Sequence, residues 1–334
     1  MLRRLTRGIV AVRDFLLSIA VLLVAWPLWF LPARAAIGLG GIGGVIGSWL
    51  WGEARRAGMI NLKRAYPQLS LTDARARVER VFVNMGRSIA EGIQFSRRDG
   101  EGAEAGRIYV HEDPELALRI HADQRPKIFV TAHLGSWEVA LMIARSVIGG
   151  NGAVIARGVD NPLLNAVVRR IRFRDPSEWI EKRGAIPEAV RRLRGGHSVA
   201  MLIDENGGPR GPHVDFFGRR ASTRKTPALL SLMTGAPIVV GAAVRRKNAP
   251  LLFRLAVLDS SGPADDSKIV ETTAGINCIL ERWIREDPEQ WRWLHWRWRT
   301  RPDGTSETYT RRDLRSCFAG EPALRASADA RSES

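Results

Sequence analysis

Apolar and polar positions follow two different periods in the second two thirds of the chain. Beyond residue 126, short apolar runs typical of strands alternate with longer stretches in which apolar residues have helical spacing. The predicted strands are 128–132, 153–156, 199–203, 237–244 and 251–258, and the predicted helices are 136–148, 162–173, 186–195, 222–234 and 267–286. This alternation favours an α/β fold in which helices flank a mostly parallel central sheet.

The first 52 residues are apolar with a basic beginning. Residues 15–31 are 17 residues without a charge, which is close to the minimum for crossing a bilayer, and a second apolar stretch covers 35–51. Four arginines come first, as in a secretory signal, but no small-residue cleavage site follows, so we expect a retained membrane anchor. Because both flanks are basic, a span, a re-entrant loop and an interfacial helix all stay open.

Six glycines lie between residues 38 and 47, and Gly38 to Gly43 formally match the dinucleotide pattern G-x-G-x-x-G. No strand precedes this match and no acidic partner follows it, so we interpret the glycines as a surface for close helix packing. The next segment, 54–93, has the pattern of an amphipathic helix, with a plausible helix start at Leu71.

Charge and cysteine content narrow the function classes only slightly. The 51 Lys and Arg against 35 Asp and Glu give a net charge of +16, which attracts nucleic acid, an anionic membrane surface, an acidic protein or a phosphorylated substrate. Cys278 and Cys317 have neither disulfide-framework nor zinc-site spacing, which favours a reducing, cytosol-facing location.

His133 and Glu138 are the candidate catalytic residues. They follow the predicted strand 128–132, and on a continuous helix five residues would separate them by about 140°. We therefore expect His133 before the helix and Glu138 in its first turn, near an N-cap at Ser136. There the carboxylate could orient the imidazole while it removes a proton from a hydroxyl. A capping histidine beside a surface glutamate fits this short pattern equally well.

Nucleophile and metal motifs are missing from the sequence. It contains no G-x-S-x-G elbow and no H-E-x-x-H, so direct transfer without an acyl-enzyme is the simpler mechanism, and we expect no metal.

Several blocks in a fixed order resemble one family. They are His133-x4-Glu138, Asp160-Asn-Pro162, Asp204-Glu-Asn206, the segment 214–218 and the segment 288–302, with 61–67 and 84–86 upstream. Together they resemble the bacterial lipid A late acyltransferases, the lauroyl and myristoyl transferases, over roughly residues 10–310.

The resemblance implies an inner-membrane enzyme with its catalytic domain facing the cytoplasm and a glycerolipid-acyltransferase-like fold. Such an enzyme moves an acyl chain from acyl carrier protein, its co-substrate, to a hydroxyl of a lipid A precursor without a cofactor. With the apolar first segment and the Ala-, Ser- and charge-rich end, this predicts three parts of the chain: a basic leader and membrane anchor (1–52), an acyltransferase domain (53–318) and a tail (319–334) that we expect to be disordered.

The resemblance also assigns roles to five residues. His133 is then the base and Glu138 its orienting partner, whereas Arg157, Arg172 and Asp204 are expected to bind substrate. The family often has Asp-Gln where this chain has Asp204-Glu205, which leaves the acceptor open: another glycolipid, of the phosphatidylinositol mannoside type, or a lysophospholipid is the alternative.

The Trp/Arg run at 291–299 has three interpretations. It could stack on nucleic acid bases, lie at a lipid interface, or dock tryptophans into the core with arginines outward, and we favour docking for most of it. A non-enzymatic protein that binds membrane surfaces or nucleic acid is a remote alternative, so we expect no nucleic acid partner. We interpret His197 and His295 as structural.

Overall fold

The computed structural model describes residues 23, 26–97, 108–148, 152–159, 161–172, 178–258 and 265–319. Its helices are α1 Ala33–Leu50, α2 Gly52–Ala65, α3 Leu71–Arg97, α4 Pro114–Ala122, α5 Trp137–Val147, α6 Pro162–Arg172, α7 Ala185–Arg194, α8 Thr226–Thr234, α9 Asp266–Glu286 and α10 Arg311–Cys317. Its strands are β1 Tyr109–His111, β2 Ile128–Thr131, β3 Ala153–Ala156, β4 Trp179–Glu181, β5 Val199–Leu202, β6 His213–Phe216, β7 Arg219–Ser222, β8 Ile238–Val244 and β9 Leu251–Leu258. Most of the predicted stretch 15–31 and residues 320–334 of the predicted tail lie outside the described residues.

Seven strands form one sheet in the order β1-β9-β8-β2-β5-β3-β4, and β6 and β7 form a separate hairpin. All neighbours in the large sheet are parallel except β8 and β9. The predicted α/β fold with a mostly parallel sheet is therefore confirmed, as are the five predicted strands to within one residue at each end. The strands β1, β4, β6 and β7 were missed because they have only three or four residues and little apolar pattern.

The central strands are buried on both faces. Every residue of β2 and β8 is buried, as expected where helices cover both sides of a parallel sheet. Side chains alternate between the two layers: Ile128 and Val130 pack in one core cluster, and Phe129 packs in the other. The carboxyl end of β2, where the candidate base follows, is thereby anchored in the middle of the molecule.

The predicted helix 54–93 is two helices. The segment around Pro67 separates α2 from α3, because proline lacks the amide hydrogen and restricts the residue before it. The predicted start at Leu71 is confirmed, and the Ser70 hydroxyl accepts from the Asp73 N–H at 3.0 Å.

Glycines bring α1 and α3 into backbone contact. A Cβ added at Gly44 would overlap the Phe82 carbonyl, and one at Gly86 would overlap the Gly40 carbonyl. The interpretation of the glycine-rich segment as a close-packing surface is confirmed. The opposite face of α1 exposes large apolar side chains, namely Leu39, Ile42, Ile46, Trp49 and Leu50. Within the described residues α1 is also the one helix long and apolar enough to cross a membrane, by length and composition alone.

The Trp/Arg run is mainly a core element. Trp291, Trp293 and Trp298 are buried, and the rings of Trp291 and Trp293 meet edge to face at 4.6 Å. Docking of tryptophans into the core is confirmed for these three residues, whose faces are therefore closed to nucleic acid bases.

The expected outward direction of the arginines is wrong at Arg297. This side chain is buried and donates to the Ser222 carbonyl at 2.6 Å and to the Thr223 hydroxyl at 2.7 Å. These acceptors, together with the face of the Phe216 ring 4.9 Å away, replace the water that the guanidinium loses. Burial lowers the pKa of Arg297 to about 10, so the side chain stays charged.

We expect Gly44→Ala to destabilise the protein by roughly 1–3 kcal/mol, because the new methyl group overpacks the contact between α1 and α3. Gly43→Ala is the matched control: no atom lies within 4 Å of its Cβ position. This control should stabilise the helix by about 0.5–1 kcal/mol. Urea unfolding of the full chain in detergent measures both changes, and equal effects would contradict the packing interpretation.

Candidate active site

The carboxyl edge of the sheet gathers most of the candidate residues. β2 and β5 pair in parallel with Thr131 opposite Leu202, so the residues two positions further, His133 and Asp204, come side by side. Arg157 follows β3, and Lys182 follows β4 at the same edge. Open α/β sheets bind their ligands at this edge.

Asp204 holds His133 at two points. The main-chain N–H of His133 donates to Oδ2 at 2.9 Å, and the ring Nδ1 lies 2.9 Å from Oδ1. The indole N–H of Trp291 donates to Oδ2 at 2.8 Å. The carboxylate thus accepts three N–H groups although it is buried.

This arrangement fixes the tautomer of His133. Burial by itself would raise the pKa of Asp204, but the charge and hydrogen bonds of His133 and the charge of Arg292 hold that pKa well below its usual range. An ionised carboxylate only accepts, so Nδ1 carries the hydrogen and Nε2 is the basic nitrogen of the neutral ring.

The expected hydrogen bond between Glu138 and His133 is not formed. Glu138 does lie in the first turn of α5 after an N-cap at Ser136, as predicted, although the Ser136 hydroxyl makes no cap hydrogen bond. Its carboxylate instead accepts from the Trp137 indole at 3.0 Å and from both Nε, at 2.8 Å, and Nη2 of Arg172. The register of β2 and β5 places Asp204 at Nδ1, whereas α6 brings Arg172 to Glu138.

The loop that carries His133 is fixed from two sides. Ser136 N–H donates to the Ala243 carbonyl at 2.7 Å, and Arg292 N–H donates to the His133 carbonyl at 3.0 Å. Gly135 has a φ of 61°, and a Cβ there would overlap the Ala243 carbonyl. Only glycine fits this turn without strain.

Helix α3 also reaches the site. Gly92 leaves room for the side chain of Glu138, since a Cβ at Gly92 would lie 2.7 Å from the Glu138 Cβ. One position earlier, Glu91 forms a two-point ion pair with Arg245, at 2.7 and 2.6 Å, where the chain leaves β8. The helix that packs against α1 is thus in contact with the sheet edge that carries the candidate residues.

A cavity of about 490 Å³ opens beside His133. Its wall includes four of the five predicted site residues, His133, Glu138, Arg157 and Arg172, together with an apolar set consisting of Leu141, Met142, Val154, Ile155, Ile186 and Met201. Asp204, expected to bind substrate, lies behind His133 and is not part of this wall. The predicted block residue Asp160 lies outside the described residues.

A charged cluster around Glu205 was not predicted. Its carboxylate lies 2.6 Å from Nη2 of Arg292, 3.6 Å from Nη2 of Arg224 and 3.9 Å from Nζ of Lys182. Burial would raise the pKa of Glu205, but Arg292 and the neighbouring histidines lower it to about 2. Lys182 was not predicted because the strand before it, β4, is too short to give a clear pattern. Arg292 was not predicted because it lies in the Trp/Arg run, which we interpreted as mainly structural.

His295 adjoins this cluster as a neutral ring. Burial lowers the pKa of His295 to about 4, and its Nε2 accepts from the Asn206 N–H at 3.2 Å. This contact agrees with the structural interpretation of His295.

Comparison with known families identifies the family of the chain. The family model described as bacterial lipid A biosynthesis acyltransferase matches residues 9–300. The chain belongs to this family. A lipid A biosynthesis lauroyltransferase of Escherichia coli K12 is 28% identical over 76% of this chain and 83% of the relative. A myristoyltransferase (78% of this chain, 80% of the relative) and a palmitoleoyltransferase (75% and 80%) of the same strain are 24% and 26% identical.

Membership makes the protein an acyltransferase and confirms the resemblance drawn from the ordered blocks. The three relatives are named for three different acyl chains, so membership does not fix the acyl chain of this family member.

We expect Asp204→Asn to destabilise the fold by about 2–4 kcal/mol at pH 7, because an amide cannot accept all three N–H groups. The folded-state pKa of Asp204 is lowered, so the contribution of the carboxylate is fully present above the unfolded-state pKa of about 3.9 and is lost as the pH falls through the folded value. The difference from the wild type should therefore shrink below about pH 4.

Urea unfolding between pH 3 and pH 7 measures this difference. Asp215→Asn serves as the control, since its side chain is 77% exposed and should contribute little at any pH. A penalty for Asp204→Asn that stays constant over this range would contradict the ionised state.

Proposed function

We propose that this family member transfers a fatty acyl chain from acyl carrier protein to a hydroxyl group of a lipid A precursor, with His133 as the general base. The observation that carries the proposal is the buried Asp204 carboxylate, which leaves Nε2 of His133 as the basic nitrogen beside a cavity with both apolar and cationic walls. A thioester donor needs the apolar wall for its acyl chain, and an acceptor hydroxyl needs the base.

The proposed step conserves atoms and charge. Nε2 of His133 takes the proton of the acceptor hydroxyl as its oxygen attacks the thioester carbonyl carbon. The tetrahedral intermediate then expels the carrier thiolate, which takes the proton from the imidazolium, and an ester and a free thiol result. Asp204 stabilises the imidazolium between these two events.

We assign Glu138 and Arg172 a role at the carbonyl oxygen. Glu138 engages Nε and Nη2 of Arg172, so the guanidinium has one fixed orientation in the cavity wall, and Nη1 takes no part in the pair. A positioned cation stabilises the negative charge that develops on a thioester oxygen. Glu138 would then act by orienting Arg172 rather than His133.

Charge and surface support the proposed partners and location. A protein with a net charge of +16 steers an acidic carrier protein towards it. The exposed apolar face of α1, continued by Trp51 and by Phe30 before it, suits the interfacial region of a lipid layer. We therefore propose attachment to the bacterial inner membrane with the cavity on the cytoplasmic side, where carrier thioesters are made.

His133→Ala should lower acyl transfer by about 10²–10⁴-fold, because it removes the base. The assay combines acyl carrier protein thioester with a lipid A precursor, and mass spectrometry detects the more highly acylated product. His197→Ala is the matched control, since His197 is exposed away from the site. Full activity of His133→Ala would overturn the proposed function.

Replacing Trp49 and Trp51 together by serine should weaken binding to phosphatidylethanolamine–phosphatidylglycerol vesicles about tenfold or more, because two exposed indole rings no longer enter the interface. Leu118→Ser is the control, a similarly exposed apolar residue on α4. Vesicle flotation of the full chain measures binding. Equal binding by both variants would argue against α1 as the lipid-contacting face.

A further inference from the structure

The cluster around Glu205 holds more positive charge than one carboxylate balances. Lys182, Arg224 and Arg292 converge on it, so three cations share this one carboxylate. Arg157 adds to this field, since it lies near enough to repel the ammonium group of Lys182. Such a surplus in a partly buried place is costly unless an anion shares it.

Two of the three cations are only loosely engaged by Glu205. Arg292 is within hydrogen-bond length at 2.6 Å, whereas Arg224 at 3.6 Å and Lys182 at 3.9 Å are beyond the usual limit of about 3.2 Å. Their side chains are 28% and 37% exposed, so a ligand can reach them while they are already partly stripped of water. Burial and the neighbouring arginines lower the pKa of Lys182, which reflects an ammonium group short of counter-charge.

The cluster adjoins the catalytic base. Glu205 follows Asp204 directly in the chain, and Lys182, Glu205, Arg224 and Arg157 lie in the wall of the same cavity as His133. An anionic group bound there would belong to a molecule whose other parts lie beside His133.

We propose that Lys182 and Arg224 bind a phosphate group carried by a substrate, and that this phosphate replaces Glu205 as their partner. The inference rests on the proposed function for the identity of the substrates, but not for the binding of phosphate itself. At pH 7 a phosphate carries about −1.5 to −2 as a monoester and about −1 as a diester, so either form offsets part or all of the positive surplus. Its oxygens also accept from an ammonium and a guanidinium group together.

The first test measures binding of inorganic phosphate to the full chain by NMR titration at constant ionic strength and neutral pH. Lys182→Met should raise the dissociation constant for phosphate about tenfold, which corresponds to the loss of one charge-assisted contact. Glu205→Gln should lower this dissociation constant, because the carboxylate that competes with phosphate is gone. Lys247→Met is the matched control, an equal loss of charge at the exposed turn between β8 and β9.

Three results would overturn the subsite: Lys182→Met binding phosphate like Lys247→Met, Glu205→Gln binding it more weakly, or no measurable binding by the wild type. Melting temperatures recorded on the same samples show whether each variant is folded. If Lys182→Met does not fold, Glu205→Gln decides alone, since the amide has the shape of the carboxylate. None of these readouts requires acyl transfer, so failure of the subsite is distinct from failure of the proposed function.

Steady-state kinetics separate the two possible sources of the phosphate. If it belongs to the glycolipid acceptor, Lys182→Met raises the acceptor KM about tenfold and loses this effect with a dephosphorylated acceptor. If it is the phosphodiester of the carrier's pantetheine arm, the KM for the acyl carrier protein thioester rises instead. An unchanged KM for both substrates overturns the proposal.

Discussion

One buried carboxylate sets the geometry of the site. Asp204 accepts N–H groups from the His133 main chain, the His133 ring and the Trp291 indole. A buried charge costs several kcal/mol when it loses its partners, so moving any one of the three donors away from this carboxylate is unfavourable. The end of β2, the end of β5 and the Trp/Arg run are joined at this single point. The orientation of the His133 ring is therefore set by the packed fold and not by a flexible side chain.

Successive side chains of the Trp/Arg run point in different directions around this carboxylate. Trp291 donates to Asp204, Arg292 pairs with Glu205, and Trp293 packs in the core beside the Trp291 ring. The main chain of the same segment holds the loop of His133 through the Arg292 N–H. A stretch whose composition resembles a nucleic-acid-binding surface here supports the carboxyl edge of the sheet from inside the fold.

Sequence periodicity was sufficient to place five of the nine strands that the described residues form, the α/β class and two of the cavity residues, His133 and Glu138. These depend on local pattern and on the end of a strand, whereas Arg157 and Arg172 came from the family resemblance. Neither the periodicity nor the resemblance identified Asp204 as the hydrogen-bond partner of His133. The contact with Asp204 spans 71 positions and depends on which strand lies beside β2, whereas Glu138 is near in sequence and therefore seemed the natural partner. Arg297 was misplaced for a related reason: its acceptors, Ser222 and Thr223, come from a hairpin too short to predict.

Helix α3 links two regions that would otherwise be independent. Near its middle, Phe82 and Gly86 press against the backbone of α1, and two turns further on Glu91 and Gly92 meet Arg245 and Glu138. At about 1.5 Å per residue the whole helix is roughly 40 Å long and forms a rigid spacer between the two regions. The number of helical turns in α3 between these contacts therefore sets the distance between the cavity and the plane in which α1 lies. Inserting or deleting one turn of α3 between these contacts would move His133 and the cavity relative to that plane without altering any residue of the site.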